Sequence, residues 1–175
     1  MNQIISYNEL DVKAPQGAFS TLDAEIFVPE IQKLKPDQVY LEIGVDKGKS
    51  LWIAKQVAKE GVEIHGVDIQ EDPVILGTNF HQGNSIILGQ EWKGPKIDVL
   101  FIDGDHSMWG CHMDIKSWFP HMAENGVMLF HDCDESSPGV VQAVAEFVDT
   151  KRNAIKSWEL FKRTDKNTSM SKIQL

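Results

Sequence analysis

Basic side chains are scarce in this chain: 17 lysines and arginines face 26 carboxylates, a net charge of −9 over 175 residues. A surface for nucleic acid or anionic membrane needs a basic footprint, so neither is an expected partner. Cysteine is scarcer still. Cys111 and Cys133 lie in unrelated segments and form no C-x-x-C, which makes a reducing cytoplasm the expected compartment. No apolar run approaches the ~20 residues of a membrane helix. The first ten residues, Met1 to Leu10, carry acid and no basic n-region, so no signal peptide is expected. Two phosphate-binding fingerprints are also missing. G-x-G-x-x-G fails because Asp46 and Lys49 occupy its second and third glycine positions. G-x-x-x-x-G-K-[ST] fails because Gly44-Val-Asp-Lys-Gly-Lys-Ser50 is one residue short, in the part that would form the phosphate nest.

What the chain does have is a strand ending in a glycine turn. Val39-Tyr-Leu-Glu-Ile43 is apolar except for Glu42 and predicts a buried parallel strand; Gly44 and Gly48 open the turn after it. From Ser50 the spacing becomes helical, with Leu51, Ala54 and Ala58 on one face and Ile53 and Val57 beside them. Strand, glycine turn and helix are the first half of a βαβ unit, in which backbone N–H groups and the helix N-terminus meet a ligand. Glu42 and Asp46 stand where a triphosphate would sit. The turn therefore suits a cationic ligand.

The alternation continues along the chain, which by size is one domain, 1–175, with residues 1–35 as an N-terminal arm or helical lid. Residues 1–20 show no clear period. Leu22, Ile26, Phe27, Ile31 and Leu34 predict a helix, and Pro29 inside it predicts a kink or two short helices. Gly61 is the expected helix stop before a second strand, Val62 to Asp68. Its tip, Asp68 followed by Ile69, lies about 20 residues beyond the glycine turn, where a carboxylate meets ribose hydroxyls. A short helix is expected at Pro73 to Gly77, a third strand at Asn79 to Gln82, and a helix at Ser85 to Trp92 after the turn Gly83-Asn-Ser85. Lys96 to Asp103 is the clearest strand, central and parallel; Ser107 then caps a helix carrying Cys111, Ile115, Trp118 and Met122. Asn125-Gly126 signals a left-handed turn, Gly126 to Asp132 a fifth strand, and Ser137-Pro138 an N-cap with proline at the first helical position. Ile155 to Arg163 and Thr168 to Leu175, joined by Thr164-Asp-Lys-Asn167, predict an antiparallel hairpin.

Glu42-x-Gly44-x-Asp46-x-Gly48 resembles motif I of the class I S-adenosylmethionine-dependent methyltransferases, with Asp46 replacing the middle glycine. Asp98-Val-Leu-Phe-Ile-Asp-Gly-Asp-His106, then Gly126-Val-Met-Leu-Phe-His-Asp132 and Gly139-Val-Val-Gln-Ala-Val, resemble the methyltransferase family built around "FIDGDH … GGVILFHD". That family is related to the catechol-type and macrolide-sugar O-methyltransferases, and the likeness runs from Val39 to about Asp149. The resemblance implies a Rossmann-like three-layer α/β sandwich whose seven-stranded, mostly parallel sheet ends in an antiparallel hairpin. It implies an enzyme that moves a methyl group from S-adenosylmethionine to a small-molecule hydroxyl. Glu42, Gly44, Asp46, Gly48, Asp68, Ile69, Asn84, Ser85 and Asp103 would bind the cofactor, with Asn84 or Ser85 near the adenine amino group. Asp103, His131 and Asp132 would hold a divalent metal, magnesium or manganese. Asp103 and His106 would be catalytic, His106 as general base.

One position departs from the family pattern. An acid pair stands there where this chain has His131 and Asp132, and imidazole suits zinc, manganese or iron better than magnesium. With only about 35 residues before the first strand, the acceptor pocket is expected to be open or completed by a second subunit, as a homo-oligomer. Among the alternatives at single residues, Asp103 caps the next helix, His106 is a turn histidine, and His131 pairs with Asp132 without metal. For the whole chain, they are a cofactor-binding domain without catalysis and a P-loop-like phosphotransferase.

Overall fold

Alternate residues of each apolar run bury on opposite faces of one sheet, which is why these runs become strands. β1 (Val39–Ile43), β2 (Glu63–Asp68), β3 (Asn79–Gln82), β4 (Ile97–Ile102) and β5 (Met122–Phe130) are parallel. β7 (Met170–Gln174) runs antiparallel between β5 and β6 (Ser157–Phe161), giving the order β3-β2-β1-β4-β5-β7-β6. The computed structural model describes residues 7–71, 73–161 and 169–175; the expected turn Thr164-Asp-Lys-Asn167 lies outside them.

Helices cover both faces. Leu41, Ile43, Leu100, Ile102, Met128 and Phe130 point to one side, against α5 (Met108–Trp118) and α6 (Pro138–Thr150). Tyr40, Val99, Phe101 and Leu129 point to the other, against α2 (Thr21–Lys33) and α3 (Lys49–Val57). The fold is thus the expected Rossmann-like three-layer sandwich. On the α2 side, Phe27 packs edge-on against Phe19, Tyr40 and Phe101 at centroid distances of 5.2, 5.6 and 5.2 Å. Each such buried ring is worth roughly 1.5–3 kcal/mol relative to exposure. Among the described residues no helix is long and apolar enough to cross a membrane.

Register positions the site. Ile43 is level with Val67 and with Ile102, and Ile102 is level with Phe130. The residues that follow these strand ends, Gly44, Asp68, Asp103, His131 and Asp132, therefore emerge along one edge, as the sequence predicts. That is where parallel α/β sheets bind ligands.

Several local expectations differ from the structure. α2 runs unbroken through Pro29, because Phe27 and Ile31, both 0% exposed, anchor the turns around the missing N–H. Residues 1–20 contain α1 (Tyr7–Lys13), held by buried Leu10. No helix forms at residues 73–77: Val74 takes a left-handed φ of 58°, and Ile75 turns inward toward Gly48. Asn125-Gly126 makes no left-handed turn; β5 passes through it, and its pairing with β4 slips between Ile97 and Val99. Ser137 makes no side-chain cap, although Pro138 opens α6 as expected. α3 ends at Val57, before Gly61.

Candidate active site

Two adjoining clefts open along the carboxyl edge. The first, about 390 Å³, is lined by Gly44, Asp46, Asp68, Ile69, Asn84, Ser85 and Asp103, with Gln70, Gly83, Gly104 and Asp105. The second, about 260 Å³, shares Gly44, Asp46, Asp103 and Gly104 with it and adds Phe19, Lys47, Lys49, His106, His131 and Asp132. Asp103 belongs to both. Gly17 also lines the second cleft, and Lys49 ties the N-terminal segment down there, 2.7 Å from Asp11 Oδ1 and 3.4 Å from the Gly17 carbonyl. Trp109 is 64% exposed and lines neither cleft.

The first cleft brings most of the expected cofactor residues together. Asp68 Oδ2 accepts the Asp46 N–H and Oδ1 the Gln70 N–H, each at 2.8 Å. A carboxylate has about four lone-pair positions, so two remain for a diol. Asn84 Oδ1 is already engaged, capping α4 (Ser85–Glu91) by accepting from Ile86 and Ile87 at 3.0 and 3.2 Å. Ser85 donates its hydroxyl to buried Asp114 Oδ1 at 2.6 Å, and Trp118 Nε1 donates to the Ser85 carbonyl at 3.0 Å. Burial and the nearby Asp105 push the Asp114 carboxyl up to about 6, against the Ser85 hydrogen bond. Asp114 was visible in the sequence as the one acid within the apolar stripe Cys111, Ile115, Trp118.

Two expected cofactor residues stand behind the cleft. Gly48 has φ 83° at the N-terminus of α3, and a Cβ there would meet Ile75 Cδ1 and Pro73 Cγ rather than a ligand. Glu42 is 0% exposed and accepts hydrogen bonds from Tyr40 Oη and Ser50 Oγ, both at 2.5 Å. Held by those two hydroxyls, Glu42 braces β1 against α3. Burial pushes its carboxyl from 4.5 up to about 8, against the pull of the two hydroxyls. Between those values the folded chain keeps a proton that the unfolded chain loses, so this contribution is full below pH 4.5 and lost as pH rises through about 8. Glu42→Gln should flatten the fall in stability across that window by on the order of a few kcal/mol, measured by urea unfolding against pH. An unchanged slope would assign the effect to other groups.

In the second cleft the strand ends of β4 and β5 meet. His131 Nδ1 lies 3.1 Å from Asp103 Oδ1 and 3.3 Å from Asp132 Oδ2; Nε2 lies 3.4 Å from Asp23 Oδ2. Burial alone would depress this imidazole, but the carboxylates of Asp103, Asp132 and Asp23 around it outweigh burial and hold it up to about 12. His106 Nε2 sits 3.4 Å from Asp103 Oδ1 and 3.5 Å from Asp132 Oδ2. Its hydrogen bond to Asp103 raises its pKa above the ordinary 6.5, so it holds its proton more firmly than its sequence context suggests. Asp103, His131 and Asp132 offer donor atoms within 4.8 Å of one another. Cis ligands of an octahedral ion with ~2.1 Å bonds stand about 3 Å apart, so the spacing fits a small divalent ion as well as it fits hydrogen bonds.

Sheet order, glycine turn and acid-tipped strands together define a class I S-adenosylmethionine-dependent methyltransferase fold. Residues 41–133, more than half of the 175, match a family model described as a methyltransferase domain, and the chain belongs to that family. Among solved structures, the O-methyltransferase from Bacillus cereus in complex with SAH aligns with TM-score 0.71 at 13% identity, covering 99% of this chain and 94% of that one. Cofactor-bound Rv0187 from MTB aligns with TM-score 0.73 at 12% identity, covering 97% and 87%. MycE methyltransferase of the mycinamycin biosynthetic pathway, in complex with Mg and SAH, aligns with TM-score 0.70 at 16% identity, covering 95% of this chain and 54% of that one. At these identities the likeness is one of fold. A comparison with curated protein sequences returns no match.

Proposed function

We propose that this chain transfers the methyl group of S-adenosylmethionine to the hydroxyl of a small-molecule acceptor. The observation that carries the reading is the lining of the first cleft: Asp46, Asp68, Asp103 and Asp105 face it, and among the described residues no lysine or arginine does. Such a wall repels polyphosphates and attracts a sulfonium with an α-amino group. That favours S-adenosylmethionine over the nucleotide a phosphotransferase needs. Ile69, 71% exposed at the lip, offers an apolar surface to a base, and Asp68 offers its free lone pairs to the ribose. SAH in the Bacillus cereus and MycE complexes supports the same cofactor.

The acceptor belongs in the second cleft, where Asp103 is common to both ligands. Methyl transfer is an in-line displacement: the acceptor oxygen forms a bond to the methyl carbon as the carbon–sulfur bond breaks, leaving a neutral thioether. The chain therefore has to align two ligands and remove one proton. His106, 44% exposed, lies at the mouth with Nε2 toward Asp103 and Asp132; it takes that proton in its neutral form, which becomes more abundant as pH rises through its raised pKa. Asp103, His131 and Asp132 would hold a divalent ion, magnesium or manganese, which when bound would lower the pKa of the acceptor hydroxyl. Mg in the MycE complex supports that part of the reading.

Calorimetry tests the cofactor. SAH should bind, whereas ATP and NAD should not; the reverse would overturn the reading. Asp68→Ala should weaken SAH on the order of 100-fold, since each charged hydrogen bond is worth roughly 1.5–3 kcal/mol and the pair is not additive. Unchanged affinity would remove Asp68 from the site.

A further inference from the structure

Behind His131, on the side away from Asp103 and Asp132, stands a carboxylate that the family motifs do not contain. Asp23 occupies the third position of α2 and is 2% exposed. Its Oδ2 accepts both the N–H and the hydroxyl of Ser20 at 2.7 Å and lies 3.4 Å from His131 Nε2. His131 is itself 3% exposed, and Nε2 makes no well-aligned hydrogen bond among the described residues. Asp23 is thus the acceptor within reach of that nitrogen. Two rings fix the imidazole plane: Phe19 stacks on it at 6.2 Å and 19°, and Phe101 meets it edge-on at 5.9 Å and 76°.

A helix cap does not explain this placement. The reciprocal bonds between Ser20 and Asp23 would serve equally well at the surface, where a carboxylate keeps its hydration. Asp23 is instead buried, which raises the free energy of its charge, and Ser20 and His131 offset that cost. A histidine that ligates a metal through one ring nitrogen commonly donates the other N–H to a carboxylate, which fixes tautomer and orientation. Asp23 and His131 have that relation, with Nδ1 directed at the Asp103–Asp132 pair.

We infer that Asp23 is a positioning residue for His131: it receives the Nε2–H and so presents Nδ1 to the space between Asp103 and Asp132. α2 thereby contributes to the chemistry at the ends of β4 and β5. The inference rests on the metal-binding part of the proposed function, and two readouts separate the two.

Manganese affinity, followed by the electron spin resonance of free Mn2+, should fall about 10–100-fold in Asp23→Asn. Ser20→Ala, which breaks the cap and spares the carboxylate, should lower the melting temperature and leave Mn2+ affinity within about threefold. Nitrogen-15 spectra of histidine-labelled wild type, titrated with Zn2+, should show the change at His131 Nδ1 while Nε2 keeps its proton. Zn2+ perturbing Nε2 instead would overturn the proposal with no variant needed, as would Asp23→Asn binding Mn2+ like wild type. If wild type takes up neither ion, the metal reading falls. The proposal then stands or falls on whether Asp23→Asn shifts the His131 Nε2 signal in the metal-free protein; an unshifted signal overturns it.

Discussion

Asp103→Asn is expected to cut turnover on the order of 1,000-fold or more while leaving SAH affinity within a few-fold of wild type. Shape is kept and one charge is removed, at the residue that lines both clefts. That charge is the shared partner of both histidines: Asp103 Oδ1 lies 3.1 Å from His131 Nδ1 and 3.4 Å from His106 Nε2. Loss of a positioned base typically costs 10²–10⁴-fold, and loss of a divalent ion several kcal/mol more. SAH carries no sulfonium, so it feels the lost charge less than S-adenosylmethionine does. A chelator should reproduce the loss in wild type, and added Mn2+ should restore wild type but not the variant. If chelator has no effect, His106 alone becomes the candidate base, and His106→Ala should then carry the loss. If both variants turn over like wild type, the acceptor needs only alignment and the second cleft's histidines are structural.

The sheet was legible because strand periodicity reports burial directly. Val39 to Ile43 and Ile97 to Ile102 could be read as central strands because both of their faces are covered, and the third strand was read to its ends at Asn79 and Gln82. Residues outside that logic were misread. Val74 and Asn125-Gly126 are local features whose conformation is set by what packs over them, Ile75 against Gly48 in one case and the slipped β4–β5 pairing in the other. The site shows the same division. Strand-tip residues Asp68, Asp103, His131 and Asp132 were legible because topology places them. That Glu42 stands behind the cleft was not legible, because its direction depends on the hydroxyls of Tyr40 and Ser50, one of them eight residues away on a helix. Asp23 and Asp114 were missed although each is an acid set among apolar helix neighbours. Only the fold reveals that each stands behind a cleft residue, His131 or Ser85.

Gly44→Ala should produce the largest structural effect of any change at the glycine turn. Gly44 has φ 86°, and a Cβ built there would run into the Asp103 carbonyl and lie 2.9 Å from the Gly104 Cα. Both obstacles are backbone, so no side-chain rotation relieves them. The left-handed conformation costs an alanine about 1–2 kcal/mol, and forcing apart packed backbone about 1–3 more. At this chain length each kcal/mol shifts the melting temperature by roughly 2–4 °C, so a fall near 10 °C is expected. The same displacement separates the ends of β1 and β4, the two strands that carry both clefts, so SAH affinity should fall with stability. Gly104→Ala is the control. Its Cβ would stand 3.3 Å from Asp114 Oδ2 and Ile43 Cγ2, with no left-handed φ, and those side chains can yield. It should cost less than about 1 kcal/mol. Thermal melts and SAH calorimetry that place Gly44→Ala level with Gly104→Ala would show that β1 and β4 are not held at the separation from which the clefts follow.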